Sequence, residues 1–542
     1  MCVPFCDKET PAVLLTPKLV AMKKFFLFSS LFLLACACEK SHFDGDSPMA
    51  SGSGVPHGMI VLGDQLDDPY SVSNMTKALQ SLYPGSMPGG LEPTDYYVRF
   101  LPENQEQFDL LMSLDIELLD HPMDYEIVRE GDYYVDPSVG EGKITWQYSV
   151  VGKDFDFPEG IHYEILDECF IAENAPSTKT SGIDWASVEE EAYRITGNEY
   201  AFLSTKAGDS AVPEGRITIV DSRYDSEPVG VAGVKVSCNS FVKFSSAFTD
   251  EEGYYTMKRP FSTDIRYRLI FKNVKGFGIG FNLLLVPASV STLGKSTPEG
   301  VSVTVQEGSD KWLFARCAAN NAGYDYYKSC SASGGKMKTP PSNLRMWLFG
   351  KLGFNVPLMM QQGAFVDNTM LGEILGENSP LVKIFLPDIL IGLSDRPYDY
   401  SGIYSSVVHE LAHASHFAQV GTAYWDSYLR FVLTASVPFG AMSYGTGTEK
   451  DCGYAEICEM WAYYIQTIMM RDRYEGITGA FGTNYWFSPQ IFLYLDDRAL
   501  GRYRIFSALT EDVRNRDTLQ ERLLSLYPEE ENTINQAFLR YL

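Results

Sequence analysis

His409-Glu410-Leu411-Ala412-His413 constrains this chain more than any other stretch, because on a helix two imidazoles four positions apart share one face and can meet at one metal ion. Glu410, directly after the first histidine, is then placed to act on a water at that ion. Three of the seven histidines fall between 409 and 416, a clustering that scattered surface histidines do not produce. Val407, Val408, Leu411, Ala412, Ala414 and Phe417 surround them, so the predicted helix is apolar nearly all round and belongs inside a domain.

With 542 residues the chain holds several domains, and 45% hydrophobic residues suit folded protein. The net charge of −26 argues against nucleic acid and anionic membrane surfaces as partners. Met22-Lys23-Lys24 and the apolar run from Phe25 to Ala35 read as the basic and hydrophobic parts of an export signal, too short to span a bilayer. Leu33-Leu34-Ala35-Cys36 resembles a bacterial lipoprotein lipobox, although Leu34 departs from the commonest pattern. The resemblance implies cleavage before Cys36, a lipid on that thiol as the only membrane attachment, and a place in the cell envelope; Cys38 is the alternative acceptor. Residues 1–35 are therefore set aside as upstream extension and signal. Export permits disulfides, and Cys317–Cys330 and Cys452–Cys458 are the sequence-near candidates, with buried thiols the alternative.

The pattern along the chain predicts a multidomain protein. Residues 36–90, rich in Ser, Gly, Pro and Asp, read as a tether with a short helix near Asn74–Leu82. Residues 91–212 read as an α+β domain, with strands at 96–101, 133–135 and 144–150 and helices at 103–114 and 184–195. It carries no catalytic constellation and could serve as a pro-domain over the cleft. Residues 213–305 show short strands at 215–221 and 228–236 and a glycine turn, Thr249-Asp250-Glu251-Glu252-Gly253, entering Tyr254-Tyr255. This stretch resembles the carboxypeptidase regulatory-like domain, which implies a transthyretin-like β-sandwich used as spacer or binding module. Residues 306–542 are mainly helical and hold every catalytic candidate. A strand pair broken at Pro387, over 382–392, offers an edge for an extended peptide.

A catalytic zinc takes three protein ligands and keeps a position open, so the two histidines need a third partner. His416 lies seven residues after His409, about 10 Å along the axis, and three side chains so spread cannot meet one ion on a straight helix. The helix predicted from Gly453 to Met470 carries two carboxylates. Glu459 shares its face with Ala455 and Ala462, which permit close helix approach; Glu456 has Cys452, Met460 and Tyr463 around it. Glu459 is favoured, with Glu456 and His416 left as alternatives.

HELAH followed 46 residues after His413 by Glu459-Met460-Trp461-Ala462 resembles the gluzincin metallopeptidases, a likeness that covers about 60 residues. It implies a helical α+β zincin domain with Zn²⁺ held by His409, His413 and Glu459, Glu410 as general base, and peptide or protein as substrate, cleaved internally. Tyr454 is the candidate donor for the developing oxyanion, with Tyr444 as the alternative. Two departures stand out. Met460 replaces an aromatic, and Tyr463 stands where many gluzincins carry an acid that orients a ligand histidine. The alternative, an envelope-anchored adhesion lipoprotein with a silent zincin domain, leaves Glu410 without a purpose.

Overall fold

The computed structural model describes residues 58–541, except 87–88, 141–142, 177–181, 203–209, 224–226, 281–289, 333–336, 350–354, 365–386, 394–398 and 437–442. The signal, Cys36, Cys38 and the first half of the strand pair expected at 382–392 lie outside the described residues. Several sheets alternate with helices, an α+β architecture of more than one part.

The first part runs through β1 (Val61–Gln65), α1 (Val72–Leu82), β2 (Asp95–Leu101), α2 (Gln105–Ser113), β3 (Tyr125–Arg129), β4 (Gln147–Gly152), β5 (His162–Cys169) and α3 (Trp185–Ile195). β2 is the centre of an antiparallel β4-β2-β5 sheet, and β1 pairs with β3. The tether reading fails from residue 58 onward. α1 is amphipathic, and its Met75, Ala78 and Leu79 share a buried cluster with Val188 and Ala192 of α3. The strand expected at 133–135 is a single bridge, Met59 to Tyr133.

The next part is all strand: β6 (Glu214–Val220), β7 (Pro228–Gly230), β8 (Val234–Ser240), β9 (Lys243–Phe248), β10 (Tyr254–Thr256), β11 (Ile265–Asn273), β12 (Gly278–Gly280), β13 (Val290–Ser296) and β14 (Val303–Val305). β10-β6-β14, with β7 on β6, makes one sheet; β9-β8-β11, with β13, belongs to another. Ile217 and Ile219 of the first share a core with Val236, Tyr267 and Leu269 of the second. Gly253 is required in the predicted turn. Its φ is +86°, and a Cβ there would lie 2.1 Å from the Ile217 carbonyl oxygen.

The helical part comprises α4 (Lys311–Ala332), β15 (Arg345–Phe349), β16 (Ile389–Gly392), α5 (Tyr400–Val420), α6 (Thr422–Ser436), α7 (Cys452–Arg473), α8 (Gln490–Arg498), α9 (Gly501–Ala508), α10 (Arg516–Leu526) and α11 (Glu531–Arg540). Here the boundary drawn at 305/306 is crossed by hydrogen bonds. β12 pairs in parallel with β15, and β15 with β16, so the larger sheet continues out of the strand region into the helical one. One core likewise runs from Leu269 and Phe277 through Ala318 to Val407 and Trp461. The peptide-binding edge expected at β16 is occupied at Leu390, which exchanges both backbone hydrogen bonds with Val356.

Polar contacts tie the parts together. Buried Lys243 reaches Glu173 at 2.7 Å and Glu189 at 3.0 Å. Arg473, closing α7, reaches Asp221 at 3.2 Å and Asp325 at 3.1 Å. Both proposed disulfides are absent: Cys317, Cys330, Cys452 and Cys458 are free thiols. Each pair lies along one helix, about 20 Å and about 9 Å apart by helical rise, beyond the reach of a bridge. Among the described residues no helix is long and apolar enough to cross a membrane.

Candidate metal centre

α5 starts at Asp399, whose side chain accepts from Gly402 N, and stops at Gly421, with φ of +79°. Between them His409, Glu410 and His413 are buried, as the apolar ring of neighbours requires. α7 packs alongside. Ala412, Ala455 and Ala462 are fully buried, and Trp461 Nε1 donates to the Ala412 carbonyl at 3.1 Å, stitching the two helices. Small side chains at this contact let a glutamate on α7 reach the histidines.

Glu459 is that glutamate. Its Oε2 lies 3.5 Å from His409 Nε2 and its Oε1 3.5 Å from His413 Nε2. The donor atoms of His409, His413 and Glu459 all fall within 4.8 Å of one another. Donors about 2.05 Å from a tetrahedral ion stand about 3.3–3.4 Å apart, so this buried group has the spacing of a metal-binding triad. Glu459 Oε2 also lacks a hydrogen-bond donor although it is buried. These residues could hold a metal ion. Burial opposes the charge on Glu459, yet His413 and His409 hold its carboxyl well below the usual range, so it is ready as an anionic ligand.

Neutral side chains hydrogen-bond to and stack on the three residues. His409 Nδ1 meets Gln466 Oε1 at 3.2 Å, and Gln466 Nε2 donates to Ser405 Oγ at 2.7 Å. Tyr428, on α6, donates to Glu459 Oε1 at 2.7 Å, with its ring stacked on His413 at 5.6 Å between centroids. Tyr463, one turn after Glu459 on α7, lays its ring against His409 at 4.5 Å. Sequence reasoning missed Gln466 and Tyr428. Gln466 had a signal: it lies seven residues, two turns, beyond Glu459 on the same face of α7. Tyr428 had none among 33 tyrosines.

The other candidates lie elsewhere. Glu456 faces Arg516, accepting from its backbone N at 3.0 Å and from Nε at 2.9 Å. His416 packs against Tyr424 and Trp425; burial, then His413, lowers it to about 3, and both ring nitrogens lack partners. Tyr454 turns away from the triad. It packs on Tyr424 at 4.7 Å and lines, with Glu456 and Arg516, a separate cavity of about 570 Å³. Burial, then Glu459, Tyr463 and Glu410, raise the Tyr444 phenol well above the usual value, and burial with Glu459 does the same for Tyr428, so both stay protonated.

The chain matches no known family model, no curated protein and no solved structure. Its chemistry rests on its own residues.

Proposed function

We propose that this protein is a zinc-dependent peptidase in which His409, His413 and Glu459 hold the ion and Glu410 is the general base. The observation that carries the reading is the buried three-donor group with an additional acid, Glu410, next to one of its histidines on the same helix. A closed structural site would have a fourth protein ligand and no use for that acid.

Zinc, when bound, supplies Lewis acidity toward water and toward a carbonyl oxygen. Glu410 takes a proton from the water that attacks the peptide carbonyl and delivers it to the amine as the C–N bond breaks. Tyr444, held protonated, is the donor to the carbonyl oxygen as it gains charge, in place of Tyr454. Gln466 orients His409, and Tyr428 fixes Glu459.

In this reading residues 306–542 are a gluzincin-like catalytic region and residues 213–305 a transthyretin-like module built against it. The whole is held at a bacterial envelope through a lipid on Cys36, where it meets peptide or protein substrates. The test is cleavage of a fluorogenic peptide mixture by zinc-loaded protein. Turnover should stop on chelation and in Glu410→Gln, which keeps its metal. Fully zinc-loaded wild type that cleaves nothing would leave the alternative, an adhesion lipoprotein with a silent centre.

A further inference from the structure

An aromatic surface leads from the proposed metal site to solvent. Tyr463 lies edge-on to His409 at 4.5 Å, and its ring runs nearly parallel to that of Phe487, at 6.0 Å and 25°. Phe487 in turn stacks with Tyr485 at 5.1 Å and 20°. Tyr444 closes the corner edge-on to Tyr485 at 5.1 Å. The surface is therefore continuous with a ligand ring at one end and with the proposed oxyanion donor at the other.

Its construction is specific. Gly482, with φ of +74°, lies on the Tyr463 ring so closely that a Cβ would sit 2.4 Å from it, so the segment carrying Tyr485 and Phe487 can rest there only with glycine. Trp486, between them, turns the other way and donates from Nε1 to the Tyr444 carbonyl at 2.8 Å. That leaves Tyr485 and Phe487 together, Phe487 1% exposed as the support and Tyr485 41% exposed as the presented ring. A large aromatic left open on a packed aromatic base, next to a catalytic group, is a place for another apolar group.

We propose that Tyr463, Phe487 and Tyr485 form the subsite for a large apolar side chain, best an aromatic one, on the residue beside the scissile peptide bond. This rests on the peptidase reading and names the substrate it selects. Among the described residues the side chains packed on these rings are aromatic, and the acid that acts on Tyr463 is Glu459, so an acidic side chain is repelled. A basic side chain could lie over the tyrosines, but Tyr463, Phe487 and Tyr485 themselves bring no carboxylate to pair with it, and Glu459 is taken up by the two histidines. Aromatic side chains therefore rank above aliphatic ones, and both above basic and acidic.

The test is binding of matched peptide hydroxamates to the zinc-loaded protein, differing only in the side chain beside the metal-binding group: benzyl, isobutyl, methyl, aminobutyl and carboxymethyl. Benzyl should bind about tenfold more tightly than methyl, and carboxymethyl weakest. Tyr485→Ala, a change at an exposed position, should bring the benzyl-to-methyl ratio to within about threefold. Equal binding across the series, tightest binding of aminobutyl, or an unchanged ratio in Tyr485→Ala would overturn the subsite while leaving the peptidase reading intact. Absence of any zinc-dependent hydroxamate binding would remove the peptidase reading, and the subsite with it.

Discussion

Gln466 Oε1 faces His409 Nδ1 at 3.2 Å while Gln466 Nε2 is engaged by Ser405 Oγ at 2.7 Å. In this orientation the amide offers the imidazole its carbonyl, an arrangement that suits a proton on Nδ1 and leaves Nε2 for an ion. A neutral amide thus does the orienting that a carboxylate does in many zinc sites. Gln466→Ala should weaken zinc binding by about 10–100-fold, and Gln466→Glu should restore or exceed the wild-type affinity. Competition with a chelating dye measures both. Equal affinities in all three proteins would show that Gln466 has no orienting role.

Tyr428 makes a parallel prediction for Glu459. Tyr428→Phe keeps the ring on His413 and removes the 2.7 Å hydrogen bond to Oε1. Hydrogen bonds to charged groups contribute about 1.5–3 kcal/mol, so zinc affinity should fall by about tenfold or more. The same titration checks it.

The two candidate tyrosines separate cleanly. Tyr444→Phe should lower kcat by about 100-fold with little change in KM, because the lost hydrogen bond forms as charge develops. Tyr454→Phe should leave kcat alone, since Tyr454 packs on Tyr424 away from the triad. Steady-state kinetics of both variants on one fluorogenic peptide decide the assignment.

Asp68 predicts a pH dependence of stability far from the site. Burial raises its carboxyl to about 8, opposed by the Tyr70 N–H and assisted by Asp167, Asp124 and Asp67. The folded state therefore holds a proton that the unfolded state releases near its ordinary value of 3.8. Stability from this group is full at low pH and is lost as pH rises through about 8. Asp68→Asn keeps an acceptor for Tyr70 and removes the titration. Its melting temperature relative to wild type should rise between about pH 5 and about pH 9; a pH-independent difference would contradict the assignment.

The motif helix was legible in the sequence because its information is local: His409, Glu410 and His413 are fixed by helical spacing, and Ala455 and Ala462 marked the face of α7 that comes close. The continuous sheet was not legible. β12 is three residues long and β15 is short and enclosed by neighbours, so no alternation announces them; β16 falls within the strand pair expected at 382–392, but its pairing with β15 joins distant parts of the chain. Ser- and Gly-rich composition hid the start of the first folded part, although Met75, Ala78 and Leu79 have helical spacing within α1. Gln466 and Tyr428 were obscured because a neutral polar side chain gains its role only from what it faces.

Metal content tests the central claim most directly. Zinc should be measured by elemental analysis on wild type, Glu459→Gln and Glu456→Gln, each after equilibration with excess zinc and removal of free ion. Wild type and Glu456→Gln should each hold one zinc per chain, and Glu459→Gln little or none. Glu456→Gln should instead lose about 1–2 kcal/mol of stability through the partly buried Arg516 pair. Zinc retained by Glu459→Gln and lost from Glu456→Gln, or no zinc in wild type, would contradict that claim.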